Sequence, residues 1–210
     1  SLDPARLHDE IGATWLRQLF VGLVEVDEKG IIVPNVARRW EIHDSGQTYV
    51  FHLREDARWS DGHPLTADDF VLAWQRVLGP QVHDILAETL YDISGARGYH
   101  LGQLSENQLG LQARDDHTLI VELEQSASYF LYSLAAEFAY PVPRHKVVEF
   151  GDGWAEPDRI VTNGPYVISS WSPGQAAKLI RNPYYHGAYG GNISQVEVFV
   201  TDSALGWEEA

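Results

Sequence analysis

Residues 49–53 and 119–123 place apolar side chains at every second position, and between them runs a helix whose start and stop are both written in the sequence. Tyr49, Phe51 and Leu53 alternate with Val50 and His52, the period expected of a strand with one buried face. Trp40 and Ile42 alternate ahead of the turn-forming Asp44-Ser45-Gly46, so residues 40–53 predict an antiparallel hairpin. A second hairpin is predicted where Leu109, Leu111 and Ala113 lead into Asp115-Asp116-His117, and Leu119, Val121 and Leu123 lead out. The intervening helix covers residues 67–78. Thr66 is its N-cap, with Asp69 three residues on in a capping-box arrangement. Phe70, Val71, Trp74, Val77 and Leu78 form its apolar stripe, and Gly79-Pro80 ends it. Strands and helices mix without strict β-α-β alternation. The class expected is therefore α/β, or α+β, with mixed sheets.

The flanking regions carry weaker patterns of the same two kinds. Pro4 keeps the opening Ser1-Leu2-Asp3-Pro4 extended or turned, and Ile11, Trp15, Leu16 and Leu19 predict a helix over 10–20. Residues 23–26 and 31–33 read as short strands joined by the 27–30 turn. Helices are expected near 84–90, over 128–136 and over 144–150, and Gly151-Asp152-Gly153 marks a joint. Residues 166–168 and 177–181 flank the hairpin turn Ser172-Pro173-Gly174. Val196, Val198 and Val200 alternate as one further strand.

Composition narrows the function classes. Thirty Asp and Glu against 15 Lys and Arg give a formal net charge of -15, which repels a phosphate backbone and disfavours nucleic-acid binding. Cysteine is absent, which removes disulfides, thiolate chemistry and Cys-based zinc sites. No apolar run approaches the roughly 20 residues that span a bilayer. The sequence starts at Ser and contains no Met, so a mature, trimmed or excised piece is expected.

Catalytic and metal-binding patterns are sparse. The nine histidines are His8, His43, His52, His63, His83, His100, His117, His145 and His186, and no two have the i, i+4 spacing of a helical metal pair. Most adjoin turn residues, as solvated histidines do, and no metal or cofactor is expected. There is no G-x-S-x-G, H-E-x-x-H, P-loop or G-x-G-x-x-G motif. Asp68/Asp69 suits a helix start through the dipole. Trp59-Ser60-Asp61-Gly62 reads as a tight turn rather than a Ser-Asp catalytic unit. No catalytic residue is predicted.

Two longer stretches carry a family pattern. One runs from Trp40 through Tyr49-Val50-Phe51-His52-Leu53-Arg54 and Trp59-Ser60-Asp61-Gly62-His63-Pro64-Leu65-Thr66-Ala67-Asp68-Asp69-Phe70 to Trp74 and Arg76. The other is Ile160-Val161-Thr162-Asn163-Gly164-Pro165-Tyr166, then Trp171, then Leu179-Ile180-Arg181-Asn182-Pro183-Tyr184-Tyr185. With Ser1-Leu2-Asp3-Pro4, these resemble the peptide and nickel class of ABC-transporter substrate-binding proteins, the oligopeptide binders above all.

The resemblance implies two lobes around a cleft, with an α+β subdomain inserted in the first. Residues 1–21 and 151–210 would form part of that lobe and 22–150 the subdomain. The second lobe, with the acidic residue that pairs with a peptide's α-amino group, would lie beyond residue 210, and the family's first strand before Ser1. His8, Asp9 and Glu10 would lie along an extended oligopeptide and pair with its main chain. Ile85 falls where the family has a ligand-contacting tyrosine, and cannot supply the hydroxyl. A monomeric receptor for a membrane ABC permease is implied, periplasmic or extracytoplasmic, and lipid-anchored in a Gram-positive organism. The same fold also admits a sensor fused to a DNA-binding module, or a receptor for dipeptide, nickel chelate, haem, murein peptide or glutathione.

Overall fold

The computed structural model describes residues 2–6, 10–82, 84–187 and 192–199. The apolar stripe near the start becomes helix α1 (Glu10–Leu19), which fully buries Leu16 and Leu19 and delivers Phe20 to the core. A small hairpin follows, β1 (Val24–Val26) with β2 (Ile32–Pro34). Its turn is held by Asp27, whose Oδ1 accepts from the N–H groups of Lys29 and Ile31 at 2.9 and 2.8 Å.

The two predicted hairpins join into one four-stranded sheet. Strands β3 (Ala37–His43), β4 (Thr48–Leu53), β5 (Leu111–Asp115) and β6 (Thr118–Glu122) are arranged β3-β4-β6-β5. Register aligns Phe51 with Leu119 and Tyr49 with Val121 on the buried face. Helix α2 (Ala67–Val77) packs on β5 and β6, with Phe70, Trp74 and Val77 at most 1% exposed. Ile42 lies opposite Tyr49 yet is 49% exposed, because β3 is an edge strand and Ile42 sits near its end. The turn before β4 is tighter than its sequence suggests: Asp44 and Ser45 take positive φ (51° and 56°) as well as Gly46.

Short helices α3 (Asp84–Glu88), α4 (Ala96–His100) and α5 (Phe130–Ser133) link these elements to α6 (Arg144–Phe150). The helix expected over 128–136 is thus cut to four residues. Beyond it the chain tightens into i→i+3 turns, the Ala135 and Ala136 N–H groups donating to the Tyr132 and Ser133 carbonyls at 3.2 Å, and the Ala139 carbonyl then accepts from Trp74 Nε1–H at 2.9 Å. Residues 151–153, expected as a joint, open a 3₁₀ turn that buries Trp154 completely. Strands β7 (Tyr166–Ser172), β8 (Ala176–Arg181) and β9 (Gln195–Phe199) then form a second antiparallel sheet. Val200 lies outside the described residues.

Every ladder among the described residues is antiparallel, and helices cover the sheets, so the protein is a mixed α/β fold with several sheets. One hydrophobic core runs through α1, α2, the four-stranded sheet and the C-terminal sheet. Phe20 sits at its junction, edge-on to Trp59 at 6.4 Å and to Trp154 at 6.2 Å. Among the described residues no helix is long and apolar enough to cross a membrane.

Candidate functional site

The opening motif is fixed by Asp3, 1% exposed. Its Oδ1 accepts from the Ala5 N–H at 3.0 Å, forming the turn that Pro4 favours. Its Oδ2 accepts from Arg76 of α2 at 2.5 Å and from Trp154 Nε1–H at 3.2 Å. Arg76 also approaches Asp152 (3.6 Å), which pairs with Arg6 at 2.6 Å. One buried carboxylate therefore joins the N-terminus, α2 and the segment after α6. A buried charge is tolerable only when paired and hydrogen-bonded in this way.

A second junction fixes the far end of α1. Asn163 is fully buried, and its side chain pairs with the main chain of Val21: Oδ1 accepts from the N–H (3.2 Å) and Nδ2–H donates to the carbonyl (2.9 Å). The Gly164 N–H donates to the Leu19 carbonyl at 2.8 Å. Asn182, just after β8, donates to the Gly164 carbonyl at 2.9 Å. The Thr-Asn-Gly-Pro and Arg-Asn-Pro-Tyr motifs thus tie α1 to the C-terminal sheet.

Beside the first of these junctions opens a cavity of about 450 Å³. Leu2, Asp3 and Arg6 line it from the opening segment, Gly12 and Trp15 from α1, and Asp152 and Glu156 from the segment after α6. Trp171, Ala177 and Val198 of the C-terminal sheet close the other side. Trp15 and Trp171 meet edge to face at 5.2 Å, giving the cavity an aromatic wall, and Arg6, Asp152 and Glu156 add charged groups to its lining. Such a surface can hold an extended or amphipathic ligand by apolar contact with a few polar anchors.

His8 and Asp9 lie outside the described residues, and of Glu10 only its place as the first residue of α1 is described. Their described neighbours in sequence, Arg6 and Gly12, both line the cavity. Ile85 stands on α3, 83% exposed, and is not part of the cavity wall. The aromatic wall escaped sequence reading because Trp15 and Trp171 come from elements far apart in the chain.

Among the described residues Ser60 faces no general base. Its hydroxyl accepts from the Thr162 N–H at 3.0 Å, and its own N–H donates to the Thr162 carbonyl at 2.8 Å, so the 59–62 turn is a structural tie. Asp61 does meet two histidines, His63 and His145. Burial pushes its carboxyl pKa up, but the hydrogen bonds with His145 and the His63 N–H and the charge of both rings outweigh that and hold it below the usual value. Asp69 behaves oppositely. Burial pushes its pKa up, against the pull of hydrogen bonds from Thr66, Arg144 and Trp59.

Residues 32–205 match the family model of bacterial extracellular solute-binding proteins, family 5 Middle. The chain is 39% identical over 207 residues to the "Probable deoxycholate-binding periplasmic protein YgiS" of Escherichia coli K12, covering 98% of this chain and 39% of that one. It is 40% identical over 187 residues to the periplasmic oligopeptide-binding protein OppA of Salmonella typhimurium, covering 88% and 34%. Among solved structures, Burkholderia pseudomallei OppA aligns with a TM-score of 0.87 at 36% identity, over 96% of this chain and 40% of that one. Haemophilus influenzae OppA in complex with RPPGFSPFR aligns at 0.89 and 29% identity, over 95% and 39%. The chain therefore spans between about a third and two fifths of the length of these relatives.

Proposed function

The chain belongs to the family 5 bacterial extracellular solute-binding proteins, and we propose that it forms one wall of the ligand cleft in an ABC importer's oligopeptide receptor. The second wall, in this reading, comes from sequence outside these 210 residues. Residues 1–21 and 151–210 belong to the first lobe, and 22–150 form the subdomain seated on it through the shared core. The observation that carries the reading is the aromatic-walled cavity between the opening segment, α1 and the C-terminal sheet.

His8, Asp9 and Glu10 run along the ligand in this proposal and pair with its main chain, so that affinity comes from backbone hydrogen bonds and side-chain identity matters little. The neighbouring Arg6 and Gly12 in the cavity wall support that placement. Ile85, exposed on the subdomain and outside the cavity wall, would meet the ligand only beyond that wall. The protein works as a monomer that closes on its guest and presents it to a membrane permease, without catalysing a reaction. Two of its relatives are named periplasmic, which supports an extracytoplasmic location.

A second ligand class has specific support. The Trp15–Trp171 wall suits a rigid apolar ring system, and one relative is named for deoxycholate. Native purification of the full-length protein, unfolding, and mass spectrometry of what is released distinguishes the two. A mixture of short peptides supports the oligopeptide reading. A steroid carboxylate supports the second and overturns the first, and a sugar or free amino acid overturns both.

A further inference from the structure

The turn after β4 and the start of α6 bring together three groups able to ligate a metal. Asp61, His63 and His145 each offer one ligand atom, and these atoms lie within 4.8 Å of one another. Asp61 Oδ1 is 3.2 Å from His63 Nδ1, and Asp61 Oδ2 is 2.8 Å from His145 Nε2. The two imidazoles stack at 4.2 Å with planes 19° apart. Tetrahedral zinc with bonds of about 2.0–2.1 Å needs ligand atoms roughly 3.3 Å apart. Those two distances run to different oxygens of Asp61, and the stacked rings aim their in-plane lone pairs nearly parallel, so a common ion requires the imidazoles to turn toward one carboxylate oxygen within the 4.8 Å that now separates the ligand atoms.

Both arms of the group are held by a single buried side chain. Asp69 Oδ2 accepts from Trp59 Nε1–H at 3.1 Å, fixing the residue that opens the 59–63 turn. Asp69 Oδ1 accepts from the Arg144 N–H at 2.9 Å, fixing the first turn of α6 one residue before His145. The turn is closed by the Gly62 N–H to the Trp59 carbonyl at 2.8 Å, with Gly62 at φ +87°, and by the His63 N–H to Asp61 Oδ1 at 3.2 Å. The ligand-bearing backbones are thus set before any ion arrives, and the remaining adjustment is in side-chain torsions.

One cation competes. Lys146 Nζ lies 3.9 Å from Asp61 Oδ2, but it also reaches Glu149 at 3.7 Å and lies over the Phe150 ring at 5.7 Å. Displacing it from Asp61 leaves it partnered. The chain's net charge of -15 favours a cation over a further anion.

The geometry points to a surface site for a divalent zinc-type ion, ligated by Asp61, His63 and His145 with a fourth position open to water, that staples the 59–63 turn to α6. Two imidazoles and a carboxylate match the ligand preference of borderline transition metals rather than of calcium or magnesium. Each ring binds through an unprotonated nitrogen.

The test is calorimetric titration of Zn²⁺ into the tag-free protein in chelator-stripped buffer at pH 7.5, with thermal unfolding alongside. One ion per chain is expected. A hundredfold excess over Kd should raise Tm by about 5–10 °C. His63→Ala and His145→Ala should each weaken binding by about tenfold or more. His63 is the safer variant because its side chain is 59% exposed and carries no core packing. His52→Ala, at the separate Glu41–His43–His52 cluster of β3 and β4, should leave binding intact. No binding, binding that survives loss of both His63 and His145, or binding lost with His52 overturns the assignment.

Discussion

Replacing Gly164 with alanine tests whether α1 and the C-terminal sheet are locked as closely as the family motif indicates. A Cβ on residue 164 would sit 2.6 Å from the Leu19 carbonyl carbon and 2.6 Å from the Phe20 nitrogen. Both are backbone atoms and cannot swing aside, so the two segments must separate by most of an ångström. Overpacking of this kind costs about 1–3 kcal/mol. The separation also strains the Gly164–Leu19 bond (2.8 Å) and the two Asn163–Val21 bonds (3.2 and 2.9 Å). Each such bond contributes about 0.5–1.5 kcal/mol. With partial loss of the three, the sum is about 3 kcal/mol, and a chain of this size should melt roughly 6–12 °C lower. Urea unfolding followed by tryptophan fluorescence reads this directly, since Trp59, Trp74 and Trp154 are fully buried. The midpoint should fall with the slope unchanged. Asn163→Ala should destabilise by a similar amount, and the double variant should lose less than the sum because one junction is being opened twice. A Gly164→Ala loss under about 1 kcal/mol, or strict additivity, would refute the close-approach argument.

Asp3→Asn keeps the shape of the N-terminal junction but leaves Arg76 facing a neutral amide. The loss should be about 3–5 kcal/mol by urea unfolding, and adding Arg76→Met should restore part of it. Acid sensitivity should centre on His186, whose pKa is pushed down to about 4 by burial and then by Arg54, with Asp56 pulling the other way. The folded protein holds His186 neutral where the unfolded chain protonates it near the ordinary 6.5. Its share of stability is therefore complete above pH 6.5 and lost as pH falls toward 4. His186→Gln, which can still donate to Asn35 Oδ1 as the ring now does at 3.0 Å, should flatten stability over that window. Melting temperatures measured from pH 7 to 4 in both proteins decide it, and parallel curves would remove His186 from the account.

The parts of this fold that are legible in the sequence are those whose causes are local. Helix α2 carries its own cap, stripe and stop, and the Arg144–Phe150 helix starts and ends where its pattern does. The 40–53 and 109–123 hairpins declare themselves by alternation around turn residues. What escapes is whatever depends on partners far along the chain. Asp3 meets Trp154 across 151 residues, Asn163 meets Val21 across 142, and His145 meets Asp61 across 84. No periodicity encodes such pairs, and a histidine beside a turn looks solvated until the second arm is in place. Asp69 shows how much one residue can hide. Its spacing from Thr66 predicts a cap, and the cap is there at 2.9 Å. The same carboxylate also holds Trp59 and Arg144, so the residue read as a helix start is the post on which the 59–63 turn and α6 both hang. The family motif around it is thus better understood as scaffold than as ligand contact. Its aromatic and acidic residues bring distant segments into register, and the cavity between Trp15 and Trp171 exists because those junctions hold α1 against the C-terminal sheet.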